Sequence, residues 1–109
     1  MEPALRIVVF GSVDQRLLDR LRAEFDLGRS GRLSDDEDVV MGLRFEERPD
    51  GGLVNVRLSR DAPDSWTFWV SAEGPPPSGE QLDDYRARFL AAIEGTGLVV
   101  NREWRRPAQ

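Results

Sequence analysis

The chain contains no cysteine, no histidine and no lysine, so all fifteen of its basic residues are arginine. These absences exclude a thiolate nucleophile, a histidine general base, a Schiff-base lysine and a P-loop lysine. They also exclude a disulfide framework and a Cys/His site for zinc or haem. Any catalysis would have to use carboxylate, arginine, tyrosine or hydroxyl groups.

Long apolar stretches and a targeting segment are missing as well. Apolar runs such as Ile7 to Phe10 are strand-sized, and none approaches the roughly 20 residues that a membrane-spanning helix needs. The first residues lack the basic and apolar regions of a secretory signal, which makes the cytoplasm the expected location. The net charge of −5 opposes binding to nucleic-acid backbones and anionic membranes and favours cationic partners.

The 109 residues are enough for one α+β domain, residues 1–109, and the hydrophobic periodicity predicts the element order β-α-β-β-β-α-β. The predicted strands are Ala4–Phe10, Val39–Glu46, Leu53–Arg60, Ser65–Ala72 and Leu98–Trp104. In the second strand, alternation places Met41 and Phe45 towards the core and Arg44 on the opposite side. A polar loop is expected over residues 29–38, and the tail 105–109 is expected to fray.

A 3.6-residue apolar period predicts two helices, Val13–Leu27 and Gly79–Glu94. Each follows the Ser-x-x-Gln spacing of a capping box, in which two side chains satisfy backbone donors at the helix start. The capping residues are Ser12 with Gln15 and Ser78 with Gln81. The expected stop signals are Gly28 for the first helix and Gly95 and Gly97 for the second. Arg22 and Asp26 are expected to pair on the solvent side of the first helix.

Two amphipathic helices and five strands are best buried as a two-layer sandwich, with the helices on one face of a mostly antiparallel five-stranded sheet. Right-handed crossovers would make the strands on either side of each helix parallel. The arrangement resembles an elaborated ferredoxin-like fold with one extra strand in the central meander. The resemblance is architectural, so it implies no functional residue.

The sheet face without helices is the first candidate binding surface, because it carries more Val, Phe and Trp than a face that meets only water. Alternation assigns to it Val8, Phe10, Val40, Arg44, Leu53, Asn55, Arg57, Thr67, Trp69, Val99, Asn101 and Glu103. A second copy of the chain or another protein would cover it. The alternatives are that the long loop and the tail fold over this face, or that a one-residue slip inverts part of the assignment.

The run Asp35-Asp36-Glu37-Asp38 is the densest charge feature of the sequence and the second candidate surface. Its plain interpretation is a solvated loop; the functional one is an acidic surface for a basic partner. A Ca²⁺ or Mg²⁺ site is the weakest interpretation, since the Gly and terminal Glu of an EF-hand loop are not at the required spacing.

No set of residues converges on a catalytic site. Adjacent carboxylates such as Asp83-Asp84 and Glu46-Glu47 point to different sides of their elements and are predicted to be surface charge. Tyr85, the single tyrosine, lies on the apolar stripe of the second helix, which indicates a packing role. No cofactor or metal ligand set is predicted.

Arginines near the C-terminus flank Trp104, a combination that can bind single-stranded nucleic acid by stacking and guanidinium contacts. The arginines are Arg102, Arg105 and Arg106. The glycine-aromatic signature of RNA-recognition modules is missing, and the net charge argues against nucleic acid.

These observations predict a small acidic, non-enzymatic protein-interaction module that acts through its open sheet face, its acidic loop, or both. Immunity-type and regulatory binders are examples of such modules. The alternative is a ferredoxin-like dimer that binds a small molecule or acts as a cofactor-free enzyme, with Arg44, Arg57, Asn55 and Asn101 as polar groups of its pocket. A cavity lined by both Arg44 and Arg57 would favour the alternative.

Overall fold

The computed structural model describes residues 1–34, 39–49 and 51–107, which form two helices and a six-stranded sheet. In chain order the elements are β1 (Glu2–Phe10), α1 (Gln15–Glu24), β2 (Gly28–Arg29), β3 (Val39–Glu47), β4 (Leu53–Ala62), β5 (Ser65–Glu73), α2 (Gly79–Ile93) and β6 (Val99–Arg105). All five predicted strands and both predicted helices are present, with shifted ends. The sixth strand, β2, was not predicted, because two residues are too few to show an alternating pattern.

The strands follow the order β2-β3-β4-β5-β1-β6, and every neighbouring pair is antiparallel. The strands β5 and β6, on either side of α2, both run antiparallel to β1 between them and are therefore parallel to each other, as expected. The long strands on either side of α1, β1 and β3, run in opposite directions. That part of the crossover prediction is wrong, because the short strand β2 comes between α1 and β3. The strand β2 runs parallel to β1, and β3 pairs antiparallel with it.

Both helices pack against the same face of the sheet. Phe25, at the C-terminal end of α1, lies 4.6 Å from Phe68 of β5 between ring centroids, and Phe68 lies 4.6 Å from Phe89 of α2. The three rings are 1% exposed each, and they join the two helices to the centre of the sheet. Burial of such aromatic surface is the main source of stability in a domain of this size.

The first helix differs from its predicted limits at both ends. Its N-cap is Asp14, whose carboxylate accepts a hydrogen bond from the Leu17 backbone N–H at 2.8 Å, so the predicted Ser12 box is wrong. At the other end the left-handed residue is Asp26, with φ of 52°, where Gly28 was expected. Gly28 instead begins β2 and pairs with Leu43.

Arg22 of α1 is buried, contrary to its predicted place on the solvent side. Its Nε donates to the Met41 carbonyl oxygen at 2.7 Å, and its Nη2 donates to the Gly31 carbonyl oxygen at 2.9 Å. Burial lowers the pKa of the guanidinium, and the carboxylate of Asp19 acts in the opposite direction. The predicted partner Asp26 lies beyond the end of the helix. Arg22 instead connects α1 to β3 through its hydrogen bond to the Met41 carbonyl oxygen.

The second helix begins and ends as the sequence predicts. Ser78 and Gln81 form the reciprocal capping box, with donor–acceptor distances of 2.9 and 3.1 Å. Gly95 and Gly97 have φ angles of 75° and 88°, which favour glycine and turn the chain towards β6. Of the tail 105–109 that is predicted to fray, Arg105 ends β6 and binds Asp83, and the Arg106 backbone N–H donates to the Ala4 carbonyl oxygen at 2.7 Å; positions 108 and 109 lie outside the described residues.

An irregularity in β3 decides which of its side chains face the helices. The register with β4 shifts between Val40 and Gly42, so Met41 is the extra residue and the alternation reverses beyond it. Arg44 consequently lies on the helix side, opposite Val56 of β4, and Phe45 lies on the open side and is 57% exposed. The predicted faces of Arg44 and Phe45 are therefore wrong, while that of the buried Met41 is right.

Candidate functional site

The open face of the sheet, which we call the open face throughout, carries a row of side chains that crosses five strands. Strand pairing places the following residues side by side: Leu43, Arg57, Trp69, Arg6 and Trp104. Arginine and tryptophan alternate over four of these positions. We call this set the Arg/Trp row.

Trp69 lies at the centre of the row and is held between two cations. The guanidinium carbon of Arg57 is 5.1 Å from the ring centroid of Trp69, and that of Arg6 is 5.6 Å away. Guanidinium groups at this distance are attracted by the ring quadrupole. The two arginines therefore restrict the ring, and the ring in turn positions both charges on the surface.

The outer strands of the open face add exposed apolar groups. Phe10 of β1 pairs with Val99 of β6, and the two residues are 48% and 66% exposed. Trp104, at the β6 end of the Arg/Trp row, is 43% exposed. Exposed aromatic side chains next to arginine are the composition found at the energetically dominant positions of protein interfaces.

Charge on the open face is mostly unpaired within the described part of the chain. Arg6 and Arg57 contact Trp69, but neither forms an ion pair there, and Arg102, opposite Val8, forms none either. The Nε of Arg57 is buried and has no hydrogen-bond acceptor among those residues. The centre of the open face thus carries positive charge that is free to meet carboxylates.

Some of the sequence-predicted residues of this surface lie on the open face, and others lie elsewhere. Strand register confirms the placement of Phe10, Val40, Asn55, Arg57 and Trp69 on the open face. Asn55 is 7% exposed and donates to the Arg44 carbonyl oxygen at 3.2 Å, so its amide is occupied within the sheet.

Other predicted positions lie elsewhere. Asn101 has no partner in β1, because the β1–β6 register shifts there. Arg44 and Glu103 lie on the helix side, where Arg44 donates to the Phe25 carbonyl oxygen at 2.8 Å and Glu103 binds Arg86 of α2. The acidic run Asp35, Asp36, Glu37 and Asp38 lies outside the described residues.

Sequence reasoning missed Arg6, Leu43 and Trp104 as members of the Arg/Trp row. Trp104 was missed because the irregularity at Asn101 reverses the alternation in β6. Arg6 interrupts an apolar strand, a signal that indicates the less buried side of that strand. Leu43 gives no such signal, because its side is set by the bulge at Met41.

A groove of about 990 Å³ lies on the helix side, between the end of α1, the end of β3 and the first half of α2. Seven carboxylates and three arginines line it, which makes it acidic. The predicted surface pairs Asp83-Asp84 and Glu46-Glu47 all take part in this lining. Arg44 lines it too, but Arg57 lies on the other side of the sheet, so one cavity does not contain both.

Tyr85 forms part of the groove wall and is half-buried. Burial raises the pKa of its hydroxyl above the ordinary value, and the carboxylate of Glu46 adds to the increase. Arg44 and Arg88 act in the opposite direction. The hydroxyl therefore stays protonated at neutral pH and can donate a hydrogen bond, but it is no ready general base.

Among residues 1–34, 39–49 and 51–107, no three His, Cys, Asp or Glu side chains are grouped so that they could hold a metal ion. Neither of the two described helices is long and apolar enough to cross a membrane.

Comparisons with protein-family models, with curated proteins and with solved structures find no match to this chain.

Proposed function

We propose that the protein is a non-enzymatic interaction module that binds the acidic surface of another protein through its open face. The observation that carries the proposal is the Arg/Trp row, with the unpaired charges of Arg6 and Arg57 on either side of Trp69. Tryptophan and arginine are the residue types that contribute most to protein interfaces, and here they are already positioned by each other.

Charge favours a different protein over a second copy of the chain. A two-fold pairing of open faces would place the same surface on both sides of the interface, so arginines would approach arginines. An acidic partner would instead pair carboxylates with Arg6, Arg57 and Arg102, and such complementarity also speeds encounter.

The architecture that presents this face is, we infer, an elaborated ferredoxin-like one. The adjacent strands β6-β1-β5-β4, each antiparallel to the next, support this inference, with β3 and the short β2 as additions at one edge. In such an arrangement the helices cover one face only, which leaves the other for a partner.

The experiment that tests the proposal is capture from native extract, followed by binding assays with the captured partner in purified form. The variants are Arg57→Glu and Arg6→Glu, and the matched control is Arg20→Glu on the exposed side of α1. We expect an acidic partner that binds the wild-type protein and the control but binds each open-face variant at least about tenfold more weakly. Equal binding by all variants, or elution of the wild-type protein as a dimer that the open-face variants disrupt, would contradict it.

A second candidate is the binding of a small cationic molecule in the groove, as a ligand or as the substrate of a cofactor-free reaction. The groove volume, at the upper end of the usual range for ligand sites, favours it, and so does its excess of carboxylates. Its test is a thermal shift with spermidine, in which Asp84→Asn should reduce the effect and Arg57→Gln should leave it unchanged. Loss of the shift in both variants or in neither would argue against a groove site.

The acidic run Asp35, Asp36, Glu37 and Asp38 remains a separate prediction as a surface for a basic partner. Substitution of its four acids by the corresponding amides tests it in the same capture experiment. Loss of a basic partner is expected.

A further inference from the structure

A small cavity of about 270 Å³ lies on the helix side of the sheet, at the end where β4 turns into β5. Its walls include Ser12, which precedes α1, Leu33, and the strand residues Arg60 and Trp66. It shares none of its lining residues with the acidic groove or with the Arg/Trp row.

Arg60 brings an uncompensated cation to this cavity. The residue is only 7% exposed, and its Nη1 donates to the Leu33 carbonyl oxygen at 2.9 Å. Its Nη2 is also buried and has no hydrogen-bond partner among the described residues. No carboxylate of that part of the chain forms an ion pair with it. A buried charge left in this state is costly, so the position favours an acceptor.

Trp66 adds a second donor beside the first. It is the strand partner of Arg60, and paired residues on neighbouring strands project to the same side within contact distance. The residue is 1% exposed, yet its indole Nε1 has no acceptor within the described chain. Two buried donors on paired strand residues therefore lack acceptors within the described chain, and both residues line one cavity.

We propose that this cavity binds a small carboxylate, which accepts hydrogen bonds from Arg60 and Trp66. A carboxylate supplies the missing negative charge and has two oxygens, one for each donor. The volume lies just below that of ordinary ligand sites, which limits the occupant to a few non-hydrogen atoms. Asp64 is the single acid in the cavity wall, and it is exposed, so water screens its repulsion.

The indole N–H groups of the three tryptophans provide the test, because each gives its own signal in a ¹⁵N–¹H spectrum. Single Trp69→Phe and Trp104→Phe variants assign the signals. Sodium acetate is then titrated at pH 7, with sodium chloride of equal ionic strength and neutral acetamide as controls.

We expect acetate to move the Trp66 signal saturably, while the signals of Trp69 and Trp104 change only as they do with chloride. Arg60→Gln should weaken the acetate effect at least about tenfold, as expected for loss of a charged hydrogen bond. Arg20→Gln, the same change on the exposed side of α1, should leave it unchanged.

Three outcomes would overturn the proposal. The Trp66 signal could stay fixed, which would indicate that a water molecule satisfies the two donors. All three signals could move together, which would indicate general salt binding. Acetamide could act as strongly as acetate, which would remove the role of charge. If Arg60→Gln does not fold, the titration of the wild-type protein decides alone.

Discussion

The centre of the open face and the groove on the helix side of the sheet carry opposite charge. Around the Arg/Trp row, arginine side chains stand next to tryptophan without ion-pair partners among the described residues. The groove has seven carboxylates against three arginines, and Arg44 in its wall is already bound to the Phe25 carbonyl and to Glu46. Two arginines of neighbouring strands, Arg44 and Arg57, thus have different roles because they lie on different sides of one sheet.

The net charge of −5 describes neither the open face nor the groove. From the net charge alone, we would expect a cationic partner. Over the distance between the two sides of a sheet, screening by salt separates their fields, so a partner meets the local charge of the side that it contacts. An acidic protein can therefore bind an acidic domain.

Among the predicted effects, substitution of the adjacent residues Phe68 and Trp69 should give the largest difference in stability between the two sides of the sheet. Phe68→Ala removes a ring from the centre of the core and should lower the free energy of unfolding by about 3–5 kcal/mol. Trp69→Ala removes a half-buried ring and two cation–π contacts, and we expect a loss of about 1–2 kcal/mol. Urea denaturation of both variants measures the difference. Equal losses would show that the open face is part of the core.

Substitution of Arg44 and Arg57 by glutamine separates their roles. Arg44→Gln leaves the Phe25 carbonyl oxygen without its charged donor and should cost about 1–2 kcal/mol of stability. Arg57→Gln should cost only about 0.5–1 kcal/mol, because it loses its cation–π contact with Trp69 but its Nε has no acceptor to lose within the described chain. Chemical denaturation measures the free energy of unfolding of both variants. A larger loss of stability in Arg57→Gln than in Arg44→Gln would contradict these roles.

Salt tests whether the binding charge resides on the open face. Raising sodium chloride from about 0.05 to 0.3 M should weaken binding of an acidic partner about tenfold, since exposed charges are screened. The Arg57→Gln variant should depend less on salt, and Asp84→Asn in the groove should show the wild-type dependence. A flatter salt response in the groove variant would move the binding surface to the helix side.

Alkaline pH probes the helix side at its single tyrosine. The folded pKa of Tyr85 is raised above the unfolded value of about 10, so the folded state holds the proton more tightly. This contribution is complete below the unfolded pKa and is lost as pH rises through the folded one. Tyr85→Phe should therefore lose less stability than the wild-type protein between neutral pH and the range above 10. Tyrosinate absorbance follows the titration, and a midpoint below pH 10 would contradict the burial of Tyr85.

Local sequence patterns account for the elements whose signals are short-range. The box of Ser78 and Gln81 and the glycines at positions 95 and 97 delimit α2 within one residue of the predicted end. At α1 two capping residues compete, and Asp14 replaces Ser12 because its carboxylate accepts from the Leu17 N–H within the first turn. A pattern alone does not rank these caps, since both residue types are favoured there.

The candidate surface was predicted in part, and the errors in that prediction arise at two irregularities, one in β3 and one in β6. Phe10, Arg57 and Trp69 follow strict alternation and lie where they were predicted. Arg44 does not, because the extra residue Met41 reverses the side of everything that follows it in β3. The sequence has no signal for this bulge, so the prediction continues the alternation of sides past Met41.

The amino-acid sequence by itself determined the chemistry that is excluded, the element order of the long strands and helices, and the main stop signals, because these depend on residue types and near neighbours. Tertiary structure alone decided the pairing of strands, the side on which Arg44 lies and the assembly of the Arg/Trp row. Those properties depend on contacts between residues distant in the chain, such as Arg6 with Trp104 and Arg57 with Trp69. The missing histidines, cysteines and lysines restrict the chemistry, and the folded sheet separates the remaining charges into an acidic side and an open face that carries unpaired arginines.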